Sequence, residues 1–216
     1  MQQGPYFDIH THKETSGDNT TAIINRYERF DDLDKQKMYS LGVHPWYITD
    51  APGQLRLLEQ YMLLPNVMAI GECGLDKTCD TDFHLQGQVF RRQVMLAEHI
   101  RKPLVIHCVK AFPEVLDILK GTTVPVVFHG FNKRQTIAFT ILQRGYYLSF
   151  GRHLLNINSS AAATFASVPP ESFLLETDTG AENITAIYKA AARIRKTGED
   201  TIILQAQNNF KKVFDQ

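Results

Sequence analysis

Two imidazoles lie two residues apart in Asp8-Ile9-His10-Thr11-His12. Side chains of an extended strand alternate faces, so His10 and His12 point the same way and offer two neutral nitrogen donors at little ordering cost. An apolar run that ends in a donor then recurs along the chain. Ala69-Ile70-Gly71 leads into Glu72, Leu104-Val105-Ile106 into His107, Val126-Val127-Phe128 into His129, and Leu174-Leu175 into Glu176-Thr177-Asp178. Each alone has an ordinary explanation, such as a capped core histidine or an exposed loop carboxylate. The recurrence argues for one site built from His10, His12, Glu72, His107, His129 and Asp178. Imidazole suits zinc and other transition ions, whereas Mg²⁺ and Ca²⁺ favour oxygen shells. A catalytic zinc takes about three protein ligands, so six donors suggest two ions about 3.5–4 Å apart.

These donors have to be placed by elements that bring strand ends together. Eight short apolar runs read as strands: Tyr6–His10, Thr21–Tyr27, Lys37–Val43, Val67–Gly71, Leu104–His107, Pro125–His129, Tyr146–Phe150 and Phe173–Glu176. They are continuous runs rather than clean alternations, as parallel strands covered on both faces should be. Between them the period becomes helical. Phe112, Val115, Leu116 and Leu119 follow i, i+3, i+4, i+7 spacing, as do Ile137, Ala138, Ile141 and Leu142. Helices are also expected over Gly53–Leu64, Asp82–Arg101, Ser159–Ala166, Ile184–Lys196 and Thr201–Phe214. Eight strands alternating with helices predict an α/β fold, a (β/α)8 TIM-type barrel, whose active sites form at the C-terminal strand ends.

Such barrels usually take about 250 residues, and this chain has 216. Lys13–Thr20 and Glu28–Gln36 are polar and carry no apolar stripe, so the first one or two helices are expected to be missing or vestigial. Strands two and three would then leave apolar surface on one flank, a place for self-association. No Gly/Ser/Pro-rich linker or repeat appears, so residues 1–216 read as a single domain.

Taken together, the motifs resemble the TatD family of metal-dependent deoxyribonucleases, within the amidohydrolase-like barrels. The matching stretches are DIHTH, GVHPW (residues 42–46), AIGECGLD, the run Gln86…Phe90…Gln93…Leu96-Ala97…Pro103 leading into LVIHC, then VVFHGF, YLSFG and LLETD. They occur in family order over nearly the whole chain. The resemblance implies a hydrolase that cleaves phosphoester bonds with two divalent ions, among Zn, Mn, Ni and Mg. His10, His12, Glu72 and Asp178 would hold one ion, and Glu72 would bridge to a second held by His107 and His129. Asp178 and Glu72 would be the catalytic carboxylates, Asp178 orienting the attacking water and taking its proton. The substrate side would be DNA or a small phosphoester. An amide, ester or lactone hydrolase on the same donors, or a metal-binding barrel without turnover, are the alternatives.

Further residues follow strand ends. His44, Lys110, Arg152 and His153 are candidate substrate contacts, and Lys13, Lys77 and Lys133 could add to a phosphate-binding rim. Trp46 could stack on a base or cover the barrel rim, with core packing the expected role; His84 and His99 should be surface residues, and Cys73 and Cys108 packed thiols. The chain departs from the family in three places. There is no helix after the HxH strand, Thr179-Gly180-Ala181 replaces a long loop, and Val109-Lys110 stands where an Arg is common two residues after the strand-five histidine.

Composition sets the outer bounds. Lys+Arg and Asp+Glu are both 23, for a formal net charge of +0, so no broad electrostatic grip on nucleic acid is visible. The three cysteines form no CxxC pair, which argues against a disulfide framework and for a reducing compartment such as the cytoplasm. No window is apolar enough for a membrane span, and the N-terminus lacks signal-peptide character.

Overall fold

The computed structural model describes residues 6–14 and 19–215. All eight expected strands form: β1 (Tyr6–Thr11), β2 (Thr20–Arg26), β3 (Met38–Leu41), β4 (Val67–Asp76), β5 (Leu104–Val109), β6 (Val126–Phe128), β7 (Tyr147–Phe150) and β8 (Phe173–Leu175). They make one eight-stranded sheet in the order β1 to β8. The β1–β2, β3–β4, β4–β5 and β7–β8 ladders are parallel. A further bridge joins Thr11 of β1 to Asp178, just past β8. This is the connectivity of a (β/α)8 barrel.

Among the described residues the α-helices are α1 (Ala51–Tyr61), α2 (Phe83–Ile100), α3 (Phe112–Ile118), α4 (Gln135–Leu142), α5 (Ser160–Phe165), α6 (Ile184–Arg195) and α7 (Glu199–Phe214). The starts of α1, α2, α5 and α6 are capped by side chains. Asp82 accepts from Leu85 N at 2.8 Å to cap α2, and Asn183 accepts from Thr185 N to cap α6.

The described parts of residues 1–24 with 128–216 form one compact unit, and residues 25–127 form another. In the first, Phe210 of α7 packs on Phe7 with ring centroids 4.5 Å apart, and the Tyr188 hydroxyl of α6 bonds the Phe7 backbone. Phe150, Phe165 and Phe173 make a chain of edge contacts near 5 Å, capped by the Arg195 guanidinium. In the second unit, Leu41, Ile70, Leu104, Val105 and Ile106 are fully buried, and α2 packs on β4 with Val89, Phe90, Val94 and Ala97 buried.

Among the described residues no helix lies between β1 and β2 or between β2 and β3; residues 15–18 of the first connection lie outside the described set. The second holds turns only, Asp32 N–H to Arg29 O and Lys37 N–H to Asp34 O. The apolar flank expected there is not exposed. Ile23, Ile24, Tyr39 and Leu41 are buried, and Phe30 folds in beside Tyr61 of α1. The half-buried part of β2 is Thr20, Thr21 and Ala22, small or polar side chains that water tolerates, so the flank supplies no argument for self-association. No helix among the described residues is long and apolar enough to cross a membrane.

Candidate metal centre

In the first unit the donors meet around the end of β1. His10 is fully buried, and its ring lies 4.3 Å from that of His129 and 5.3 Å from that of His12. Asp178 is fixed by its backbone. Its N–H donates to His10 O at 2.9 Å, and its carbonyl accepts from His12 N–H at 3.2 Å. Its φ of 52° lies in the left-handed region, which Asp tolerates better than most residues. That turn sets Oδ1 3.7 Å from His10 Nε2 and 3.6 Å from His12 Nε2. His10, His129 and Asp178 each place a ligand atom within 4.8 Å of the others.

Asp8 braces this arrangement from below. Its carboxylate accepts from Thr177 N at 3.0 Å and from Thr177 Oγ1 at 2.6 Å. It thus holds the segment just before Asp178 against β1. Burial pushes the Asp8 carboxyl up to about 7, although the Thr177 hydrogen bonds work the other way. Behind His129 stands Glu176, fully buried, with Oε1 3.5 Å from His129 Nδ1 and 2.7 Å from Gly130 N. Burial alone would raise the Glu176 carboxyl, but its hydrogen bond and charge interaction with His129 draw it below the usual range.

The second unit gathers Glu72, His107 and His44. Glu72 Oε1 lies 2.7 Å from His107 Nδ1 and 3.2 Å from His44 Nε2. These three also satisfy the spacing of a shared ion. Asn25 positions Glu72 by accepting its N–H at 2.7 Å and is itself bonded by Ser40 Oγ. On the far side of the His107 ring, Nε2 lies 2.9 Å from Asp76 Oδ2. A carboxylate there can accept the hydrogen bond of Nε2 and fix the ring's orientation, the usual backing of a metal-bound histidine. Burial would raise Asp76, but hydrogen bonds from Thr78, His107 and Trp46 hold it down at about 2. Asp76 therefore remains a charged acceptor.

His44 plays a different part. Its Nδ1 accepts from Trp46 N at 3.1 Å, which puts the neutral ring's proton on Nε2, the atom beside Glu72. His44 so bonded donates to the Glu72 carboxylate rather than offering a lone pair to an ion. Two buried glutamines of α2, seven residues apart on one helix face, fix the flanking backbone. Gln93 pairs with both N and O of Val43, next to His44, and Gln86 pairs with both N and O of Asp76.

Lys110, Arg152 and His153 are exposed, and His153 Nε2 is 3.4 Å from Asn132 Nδ2. Desolvation and the Arg152 and Lys133 charges lower the His153 pKa. Lys13 Nζ bonds Glu182 O, and Lys77 pairs with Glu114. Trp46 is not in the core; it is 53% exposed. His84 and His99 are exposed and Cys73 is fully buried, as expected. Sequence reasoning passed over Asp8, Asp76 and Glu176, although all three stand inside the DIHTH, AIGECGLD and LLETD motifs.

The backing role of Asp76 has a measurable consequence. Asp76→Asn is expected to weaken metal binding at His107 by about 10–100-fold, the range for losing an outer carboxylate. Titrating a divalent ion into metal-free wild-type and variant protein checks this; equal affinities would remove Asp76 from the site.

Known proteins can now be set beside this geometry. The family described as TatD related DNase matches residues 12–215. A protein of Buchnera aphidicola named an uncharacterized metal-dependent hydrolase is 30% identical over 82% of this chain and 74% of its own length. The human 3'-5' RNA nuclease TATDN2 is 32% identical over 64% of this chain, but only 19% of that protein is covered. Other curated relatives are also covered over less than two thirds of their length. Among solved structures, YjjV, a TatD homologue from Escherichia coli K12, matches with a TM-score of 0.85 over 98% of both chains at 21% identity. That likeness shows the TIM-type (β/α)8 fold. With the family matched from His12 nearly to the C-terminus, and with HxH, GEcGLD and ETD each supplying donors to a cluster, this chain belongs to the TatD-related DNase family.

Proposed function

We propose that the chain is a divalent-metal-dependent hydrolase that cleaves phosphoester bonds, with nucleic acid as substrate. One observation carries the reading: imidazole and carboxylate donors are gathered, with ligand atoms within 4.8 Å, both around His10, His129 and Asp178 and around Glu72 and His107. The chemistry of this donor set fits two divalent ions. His10, His12, His129 and Asp178 would serve one and Glu72 with His107 the other. The family resemblance supports Glu72 as the ligand common to both. When bound, such ions act as Lewis acids toward a phosphoryl oxygen and make water a better nucleophile at neutral pH.

The protein side of the reaction follows from the residues. Asp178 holds one carboxylate oxygen toward His10 and His12, leaving the other to orient a water and accept its proton. Asp76 and Glu176 keep the His107 and His129 rings oriented. His44 steadies the Glu72 carboxylate by donating to it. The same donors could polarise a carbonyl, so amide, ester and lactone substrates form the competing class. The family name and the nuclease among its relatives favour the phosphoester. A substrate panel decides: metal-loaded protein should hydrolyse oligonucleotides and simple phosphodiesters in preference to amides, esters and lactones. Carbonyl hydrolysis with no phosphodiester cleavage would overturn the proposal.

A further inference from the structure

We propose that Trp46 and Tyr47 form a stacking platform for one unpaired nucleobase of the substrate, next to the phosphate being cleaved. This rests on the nucleic-acid reading above and names the residues that would recognise the base. Single exposed apolar side chains are ordinary, but two aromatics side by side make a contiguous patch of the kind that marks a binding surface. Here Trp46 is 53% exposed and Tyr47 43% exposed, side by side on the turn that follows His44.

The exposed rings are not loose. The indole N–H of Trp46 donates to Asp76 Oδ2 at 2.6 Å, and its backbone N–H is held by His44 Nδ1. Tyr47 lies stacked on Tyr27, with centroids 4.3 Å apart and planes 20° from parallel. Buried Pro45 opens the turn and restricts its backbone. Such fixed rings lose little further freedom when a ligand covers them.

Their position ties them to the donors. The His44 ring centroid is 6.1 Å from Trp46 and 5.2 Å from Tyr47, and Asp76 Oδ2 binds both the indole and His107. A planar group on this surface would therefore sit beside Glu72 and His107. Net charge offers no broad grip in place of stacking. The chain is formally neutral, and Lys77 is already paired with Glu114. Stacking offers sequence-tolerant affinity to any base with a free face, which a strand end or single strand presents and a duplex interior does not.

The chain has a single tryptophan, so its emission reports on this position alone. Metal-free protein, kept in chelator so that nothing is cleaved, is titrated with a short single strand and with an abasic strand of equal length and charge. The base-bearing strand should quench the emission saturably and the abasic strand should not. By anisotropy of labelled strands, Trp46→Leu should bind the base-bearing strand about ten-fold more weakly, the order of one lost stack, while Trp46→Phe keeps part of that affinity. Equal quenching by the abasic strand, or wild-type affinity in Trp46→Leu, overturns the platform. If Trp46→Leu does not fold, the abasic comparison on the native chain and Trp46→Phe still decide. Quenching needs no turnover, so a protein that stacks bases but cleaves no phosphodiester would reject the function and leave the platform. Cleavage without base-dependent binding would do the reverse.

Discussion

Asp178→Asn is expected to lower phosphodiester turnover by roughly 10²–10⁴-fold, the range for a lost acid–base group, while much of the metal stays bound. The backbone of residue 178 is held by His10 O and His12 N–H, contacts that no side-chain change removes. Asn keeps the shape and one carbonyl oxygen toward the two imidazoles but cannot accept a proton. A purely structural role for Asp178 would be to cap the following helix. That role is already filled, since α6 begins at Ile184 and Asn183 caps it. The decisive pair of measurements is kcat and metal content on one preparation. Normal kcat would remove Asp178 as the base, and loss of both would make it chiefly a ligand.

Glu72→Gln should release metal. The residue is 5% exposed, its Oε1 lies within 3.2 Å of both His107 and His44, and Asn25 fixes its backbone. Gln fills the same space, so the fold should survive, but it carries no charge to balance a cation. The loss of affinity should exceed the about 10–100-fold typical of removing an outer carboxylate. Two ions should be affected if Glu72 is shared and only one if it is not. Metal counted per chain after dialysis distinguishes these, and full retention would reject Glu72 as a ligand.

Much of this architecture could be read directly from the sequence. All eight strands are legible as short runs rich in Val, Ile, Phe and Tyr, the pattern of parallel strands covered on both faces. The strand that runs furthest past its expected end is β4, expected to stop at Gly71 and continuing to Asp76. At Gly74 a Cβ would come within 1.9 Å of His107 O, so glycine there lets β5 pair closely instead of ending the strand. The continuation carries Asp76 to the back of the His107 ring. A strand thought to end at Gly71 left Asp76 in a loop, and its role was missed.

Glu176 was hidden in another way. Read as the last residue of β8, it was passed over for Asp178, yet its carboxylate stands beside His129. Partnership between side chains from different strands is a matter of tertiary distance, which one sequence does not encode locally. His129, named by resemblance as a ligand, packs on His10 with Asp178 in reach. Trp46 was expected inside because indole is mostly apolar; the deciding contact is its N–H to Asp76, thirty residues away.

The most direct test of the central claim is the rate of oligonucleotide hydrolysis before chelation, after complete metal removal, and during stepwise return of Mn²⁺ or Zn²⁺. Hydrolysis should vanish with the metal and return saturably as about two ions per chain are restored, the number expected of a two-metal site. Undiminished hydrolysis by fully stripped protein would contradict the account.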